Sequence, residues 1–501
     1  MADNAEIELT FETDPSFTLP DLSDLPGVAT VARPEERALE ATYVDTADLR
    51  LAAHRHTLRR RTGGHDAGWH LKRPRADGFR DELQEPLGDP DVVPPTLRRF
   101  VEVHVRGRRL APVVRIGTRR TATHLLDPDG RVLLELADDD VTATVLGSNG
   151  AADTVTSWHE LEAELVDGDR DLLDAVEARL VDAGARVSAS PSKLARALGD
   201  RVPAPATPAL TLGSVGAALV AYLREQVEDL QAQDPLVRAD APDAVHQMRV
   251  GCRRMRALLA AYRGVLDAES VAPLREELRW LGEVLGGARD SEVVRDRLRA
   301  EAAELPAELV LGPVERRIVE TFATRYRQAH DRALEEMDGE RYFALLDALD
   351  ALVTTPPLGP VAAEPASDVY RARLAKTYRR TAKLVDEALA QEDAEAREHQ
   401  LHEVRKSAKR ARYAAEAARR ILGDEAHAYG KAMKAVQEVL GEHQDSVVAR
   451  GELRTLGVAA SADGDSGFTF GLLYGHEQVR AAEALARFDD AWKKARRARI
   501  R

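Results

Sequence analysis

The sequence predicts an α+β chain of two domains, an antiparallel β domain followed by an all-helical domain made of two repeats. Three observations predict this. Over residues 1–200, short segments alternate apolar and polar residues and are separated by turn signals such as Gly63-Gly64 and Asp129-Gly130, the period-two texture of strands. From residue 214 onward, apolar residues recur every three or four positions, the helical period. Finally, two phrases occur twice: HQMRVGCRRMR at 246–256 returns as HEVRKSAKRAR at 402–412, and EVLGGARDSEVVRDRL at 283–298 returns as EVLGEHQDSVVARGEL at 438–453. Offsets of 156 and 155 residues over two separate segments mark one duplicated unit.

In order, the predicted strands are 6–12, 41–46, 56–62, 68–74, 113–126, 131–146 and 157–166. A helix over Asp169–Ala183 and a short one over Ser192–Leu198 follow them. The Pro/Ala-rich stretch 199–213 reads as a linker, which places domains at 1–200 and 212–500 with 201–211 between them. Helices are predicted at 214–231, 244–263, 273–285, 291–303, 313–336 and 341–353 for the first repeat (212–353). After the Pro-rich break 354–367 the second repeat (368–500) has 368–391, 397–421, 425–440, 446–455 and 470–495, so each repeat forms a bundle. The glycine in Leu-Gly-x-x-x-Asp-Ser (Gly286, Gly441) reads as a helix stop, with Asp290 or Asp445 opening the next helix or pairing with an arginine.

With 501 residues, 44% hydrophobic and 31% charged, the chain can bury a core in each domain. A net charge of −14 and an aromatic content of 5% argue against a general nucleic-acid binder, which needs a basic surplus and stacking platforms. The single cysteine, Cys252, excludes an internal disulfide and fits a reducing compartment, where it packs between helices. The acidic start lacks a secretory pattern, and the longest apolar stretch, Ala209–Leu223, is too short to cross a bilayer. A cytoplasmic protein without a membrane partner is expected.

Each copy of the first phrase places cations three, seven, eight and ten residues after a histidine. At about 100° per residue, His246, Arg249, Arg253 and Arg256 share one helical stripe, as do His402, Arg405, Lys409 and Arg412. Neither histidine has a carboxylate three or four residues on, which disfavours a metal site and favours a phosphate contact. Two one-sided cation stripes point to a polyanion.

In the β half, residues two apart share a face. Glu6 with Glu8, Arg59 with Arg61, His70 with Lys72, and Glu160 with Glu162 and Glu164 therefore form pairs or rows of like charge. If these face inward, carboxylates of the first and last strands meet cations of the middle strands in a charged barrel interior. Such an interior can hold a divalent cation on its acids and a triphosphate on its bases. Strand register decides whether Arg119 or Arg120 faces in.

The helical phrases resemble the CHAD domain, the conserved-histidine α-helical domain, over about 212–500. The resemblance implies two pseudo-symmetric four-helix bundles whose basic helices bind inorganic polyphosphate, through His246, Arg249, Arg253, Arg254 and Arg256 in one copy and His402, Arg405, Lys409, Arg410 and Arg412 in the other. The opening Glu-x-Glu, Tyr43-x-Asp45-Thr46, LRRRTGG, WHLKRP, the closing Glu-x-Glu-x-Glu and Ser192-Lys193-Leu194 resemble the CYTH domain of the triphosphate tunnel metalloenzymes over about 1–200. That resemblance implies a β tunnel in which Glu6, Glu8, Glu135, Asp139, Glu160 and Glu162 hold Mg²⁺ or Mn²⁺. Arg59, Arg61, Lys72, Arg80, Arg120 and Lys193 would grip the phosphates. One position departs from the family. Its first strand reads Glu-x-Glu-x-Lys, and Thr10 stands here at the lysine beside Glu6 and Glu8. Loss of that ammonium near the reacting phosphates weakens turnover by about 10²–10³ if it contacts the transition state.

The expected function is metal-dependent binding, and weak hydrolysis, of triphosphate in one half and binding of polyphosphate in the other, in association with polyphosphate granules. The alternatives are a non-catalytic polyphosphate scaffold with a degenerate tunnel, favoured by Thr10, and a nucleotide cyclase of the same β fold, disfavoured by the lack of a purine pocket.

Overall fold

The computed structural model describes residues 4–14, 16–74, 80–147, 153–204 and 206–500, without the side chains of 4–6. It divides into two compact units, 1–205 and 206–501. The first holds β1 (Asn4–Glu6), β2 (Glu8–Glu12), β3 (Thr30–Val31), β4 (Glu35–Asp45), β5 (Thr57–Thr62), β6 (Gly68–Pro74), β7 (Arg80–Glu85), β8 (Ala111–Leu126), β9 (Val132–Val145), β10 (Thr154–Leu165) and β11 (Arg186–Val187). Its helices are α1 (Arg50–Ala53), α2 (Pro95–Val105), α3 (Arg170–Asp182) and α4 (Lys193–Leu198). Asp169 and Ser192 cap α3 and α4 by accepting from Leu172 N and Ala195 N.

The antiparallel sheet runs β1-β7-β6-β5-β4-β8-β9-β10-β2-β11. Only Ile7 separates β1, on one side of this path, from β2, near the other, so one stretch of chain closes the sheet into a barrel. Alternation is inverted relative to a packed barrel. Phe11, Leu161 and Ala163 point outward under α3, with Leu172, Val176 and Leu180, while α2 covers Leu58, Trp69 and Leu71. The outward apolar face drives folding, which leaves the inward positions to charged side chains. β7 and α2 escaped the periodicity because RDELQE lacks an apolar alternation and α2 lies in a Pro-bounded stretch.

The second unit is helical, with α5 (Val215–Arg238), α6 (Ala244–Ala261), α7 (Ala272–Val284), α8 (Gly286–Ala303), α9 (Val314–Met337) and α10 (Glu340–Thr354) from the first repeat. The second repeat supplies α11 (Ala366–Leu389), α12 (Ala394–Leu422), α13 (Asp424–Ala462), α14 (Phe468–Ala486) and α15 (Phe488–Arg497). Three expectations need correction. In the first copy α7 does end, at Val284, but α8 starts at Gly286 so that Asp290 lies inside it and opens no helix, and in the second copy α13 runs unbroken through Gly441 and Asp445. Gly286-Gly287 puts two poor helix formers in succession, whereas Gly441 is followed by Glu442. The predicted final helix divides at Arg487, with Asp489 and Asp490 in the first turn of α15 complementing its dipole. Nor is each bundle confined to its own repeat: Leu298, Ile318 and Phe322 share a core with Leu453, Leu456 and Phe470. Tyr262 ties the repeats again, donating to Ala414 O at 2.6 Å and packing edge-on to Tyr370 at 5.2 Å. Cys252 is fully buried and its thiol is pushed up to about 12 by burial, in keeping with a packing role.

Gly63 closes the β5–β6 turn at φ +79°, and a Cβ there would meet Ala38 O at 2.1 Å. Gly63→Ala should destabilise the barrel, by about 1–3 kcal/mol for the strained backbone, read as a lower urea midpoint for β-sheet loss.

Candidate functional site

The barrel encloses a cavity of about 950 Å³. Ladder register sorts its charges into rows. In one, Glu12, Glu160, Asp139, Arg120 and Arg37 lie side by side on β2, β10, β9, β8 and β4. In another, Glu8, Glu164, Glu135 and His124 do so, and Thr10 faces Glu162 between them.

The first row is internally compensated. Lys193, presented by the first turn of α4, puts Nζ at 2.5 Å from Glu162, 2.7 Å from Glu160 and 3.0 Å from Asp139. Arg120 grips Asp139 with two donors at 2.8 and 2.7 Å and reaches Glu162 at 2.5 Å. Burial pushes the Glu162 carboxyl upward, yet Lys193 and Arg120 hold it well below the carboxylate range. Arg119 faces outward to Asp140, which settles the register in favour of Arg120.

The second row is not compensated in this way. Glu135 accepts from His124 at 2.8 Å and lies 3.7 Å from Arg120 and 3.9 Å from Arg37, Glu8 lies 4.0 Å from Lys72, and Glu164 alone of the three has no ion-pair partner within 4.0 Å among the described residues. Burial, opposed by Lys72 and reinforced by Glu8, Glu162 and Glu135, raises the Glu164 carboxyl to about 6. Three carboxylates directly opposite one another on adjacent strands repel, and oxygen donors in such a row suit a hard divalent cation. Asp139, Glu160 and Glu162 also approach within 4.8 Å of one another, but Lys193 and Arg120 already lie among them. The acids expected to share one metal thus separate into two sets, with Glu8 and Glu135 beside Glu164, which the sequence placed on this face without assigning it to the metal. Glu6 lies in β1 opposite Arg80 in register, and its side chain falls outside the described residues.

Across the cavity stand Arg59, Arg61, Lys72 and Arg80. Arg59 donates to Tyr43 Oη at 3.3 Å and lies 3.8 Å from Glu82, which His70 holds at 2.8 Å. His70 is therefore a support beneath the lining, behind Glu82. Arg61 pairs with Asp66, and burial with Arg59 and Arg120 nearby lowers its guanidinium to about 10. Sequence reasoning missed Arg37 and Glu82. Counting back by twos from Tyr43 finds Arg37, and counting on by two from Arg80 finds Glu82.

In the helical unit, α6 and α12 merge their stripes. Arg249, Arg253, Arg405, Lys409 and Arg412 come close enough that burial, followed by Arg253, Arg405, Arg412 and Arg249, lowers the Lys409 ammonium to about 7. Arg249 reaches Asp290 at 2.6 Å and Arg405 reaches Asp445 at 4.0 Å. Their guanidinium groups lie over Gly286 and Gly441, within 3.3–3.9 Å of where a Cβ would be, so the duplicated glycines make room for the duplicated arginines. Burial lowers the pKa of both His246 and His402; His402 is held at 3.1 Å by Gln444, while His246 Nδ1 is buried without a hydrogen-bond partner. Arg254 turns to Gln226 at 2.5 Å and Glu416 at 3.3 Å, away from the stripe, and Arg410 joins Arg380 and Arg275 instead. Arg256 lies beside Arg275, and Arg412 pairs with Glu416 at 3.1 Å. No described helix is long and apolar enough to cross a membrane.

Family models for the CYTH domain and the CHAD domain match residues 4–197 and 221–454. An uncharacterized protein of Mycobacterium tuberculosis (strain ATCC 25618 / H37Rv), Rv2226, is 40% identical over 515 residues, covering 99% of this chain and 98% of its own. Among solved structures, PptA from Streptomyces chartreusis (22% identical, TM-score 0.47) covers 56% of this chain and 99% of its own. The CHAD domain from the plant Ricinus communis (26% identical, TM-score 0.45) covers 60% of this chain and 98% of its own.

Lys193→Met should leave Asp139, Glu160 and Glu162 short of a buried cation and cost the barrel about 3–5 kcal/mol. The check is urea unfolding followed by the fluorescence of Trp158, which donates to Glu160 at 2.5 Å; added Mn²⁺ should restore part of the loss. Lys409 gives a prediction of opposite sign. Its folded pKa lies below its unfolded value, so between about pH 7 and 10.4 the unfolded chain binds more protons and stability rises with pH. Lys409→Met should therefore stabilise the helical unit most at pH 6.5 and least at pH 10, by melting temperature.

Proposed function

Because this chain belongs to the proteins that join a CYTH domain to a CHAD domain, we propose that it binds inorganic polyphosphate on its helical half and takes triphosphate, with Mg²⁺ or Mn²⁺, into its barrel. The observation that carries the reading is the grouping of like charges around shared spaces. The merged stripes of α6 and α12 gather five cations, four of which join burial in lowering the Lys409 ammonium, and among the described residues they pair with Asp290, Asp445 and Glu416. In the barrel, Glu8, Glu135 and Glu164 remain as oxygen donors while Arg59, Arg61, Lys72 and Arg80 face the same space. A polyphosphate supplies many closely spaced negative charges to the first. A triphosphate with its divalent cation supplies both signs to the second.

In this reading Glu8, Glu135 and Glu164, with Glu6, would hold the cation, which would supply charge neutralisation at the phosphate oxygens and a water of lowered pKa. Arg59, Arg61, Lys72 and Arg120 orient the phosphates and stabilise charge on the leaving group. Lys193 serves the buried acids Asp139, Glu160 and Glu162, so it keeps Glu162 ionised and in place. Thr10 faces Glu162 from the neighbouring strand and brings no charge of its own. The same position supports a second reading, a barrel that binds triphosphate without turning it over.

Phosphate release from triphosphate by the full chain with Mn²⁺ separates these readings. We expect slow release by the natural sequence and an increase of about 10²-fold in Thr10→Lys. No release from either, with triphosphate binding intact, would establish the non-catalytic barrel. On the helical side, polyphosphate affinity should fall steeply with salt, as counterion release from a phosphate backbone dictates. Arg249→Gln with Arg405→Gln should lower both the affinity and its salt slope.

A further inference from the structure

The two helical repeats are not charged alike. α5 carries two cations and four acids, whereas its counterpart α11 carries six cations and three acids. The difference converges on one place. Where the end of α6 meets α7, α11 and α12, a cavity of about 200 Å³ is lined by Arg263, Arg275, Arg373, Lys376, Arg380 and Arg410, with no carboxylate. None of the six has a carboxylate within 4.0 Å among the described residues, and the buried Nε of Arg275 lacks a hydrogen-bond partner. Burial, then Arg380, lowers the Arg410 guanidinium, and burial, then Arg263, lowers that of Arg275.

The pseudo-symmetric counterpart shows what a neutralised version looks like. At the repeat offsets, Arg373, Lys376 and Arg275 correspond to Ala217, Val220 and Gly430, so three of the cations are missing there. Arg410 corresponds to Arg254, and Ala260 to Glu416. In that copy Glu416 lies 3.3 Å from Arg254 and 3.1 Å from Arg412, and Gln226 takes a further donor of Arg254. Of the two equivalent places between the repeats, one therefore carries a counter-charge and the other omits it and adds cations.

We propose that the pocket between α6, α7, α11 and α12 is an additional phosphate subsite, present in the second half of the pseudo-symmetric pair only. It receives a segment of the polyphosphate chain after that chain leaves the merged stripes by way of Arg256, which neighbours Arg275. The identity of the ligand rests on the polyphosphate reading above; the site itself rests on the unpaired cations. The subsite makes the binding path lopsided: the chain continues over α11 and not over α5.

The test transplants the natural neutralising residue. In the full-length protein, Ala260→Glu places a carboxylate opposite Arg410 as Glu416 stands opposite Arg254, and Ala260→Gln adds the same bulk without charge. With end-labelled long-chain polyphosphate followed by anisotropy, Ala260→Glu should weaken binding about tenfold and reduce the salt slope, with Ala260→Gln close to wild type. Arg373→Gln with Lys376→Gln should reproduce the Ala260→Glu loss. The stripe variant Arg253→Gln with Lys409→Gln is measured alongside. Loss in the stripe variant but not in the pocket variants would overturn the subsite and leave the stripes standing. Loss in the pocket variants alone would retain the subsite and remove the stripes. Equal loss in Ala260→Glu and Ala260→Gln would assign the effect to packing and overturn the proposal, as would loss in neither set.

Discussion

Both halves of this molecule are governed by the repulsion between like charges held partly out of water. At a few ångströms and reduced dielectric, such repulsion reaches several kcal/mol, and each half meets it differently. The barrel interleaves signs, so Lys193 and Arg120 sit among Asp139, Glu160 and Glu162. In the second row, Glu8, Glu164 and Glu135, burial raises the Glu164 carboxyl and the neighbouring carboxylates add to the rise. The helical unit does not interleave. It brings two cation stripes against each other across α6 and α12, where burial and then the neighbouring cations lower the Lys409 ammonium.

What holds these unfavourable clusters together lies elsewhere in the structure. In the barrel the apolar face points outward, where α2 and α3 cover it, so the energy of burial is spent away from the cavity and leaves the inner face free for charge. In the helical unit a core shared by α8, α9, α13 and α14 joins the repeats, from Leu298 to Phe470, and just past α6 Tyr262 packs on Tyr370 and donates to Ala414 O of α12. Moving the stripe helices apart at that end would break the Tyr262–Ala414 hydrogen bond. Gly286 and Gly441 add a local device, giving Arg249 and Arg405 a flat place to lie.

Much of this was legible in the sequence. Duplication announced the repeats, and the histidine-led spacing correctly grouped Arg249 with Arg253 and Arg405 with Lys409. Period-two alternation found the strands that carry Arg59, Arg61, Lys72 and Glu160–Glu164. It failed at β7, whose charged sequence has no apolar rhythm, and so missed Glu82. Helical angles could not foresee that Arg254 and Arg410, at the same repeat position, have different fates, because Glu416 and Ala260 decide that and both lie beyond the shared phrase. Nor does local sequence say that α13 continues where α7 stops, a matter of one glycine against two. The division of the barrel acids between Lys193 and an open row depends on cross-strand register, which only the closed barrel reveals.

The most direct test is a crystal structure of the full chain grown with tripolyphosphate and Mn²⁺, with anomalous data collected at the manganese edge. A manganese peak is expected among Glu8, Glu135 and Glu164, with phosphates between it and Arg59, Arg61 and Lys72 and further phosphate density along the merged stripes of α6 and α12. Phosphate confined to scattered surface lysines, with the barrel and both stripes empty, would contradict it.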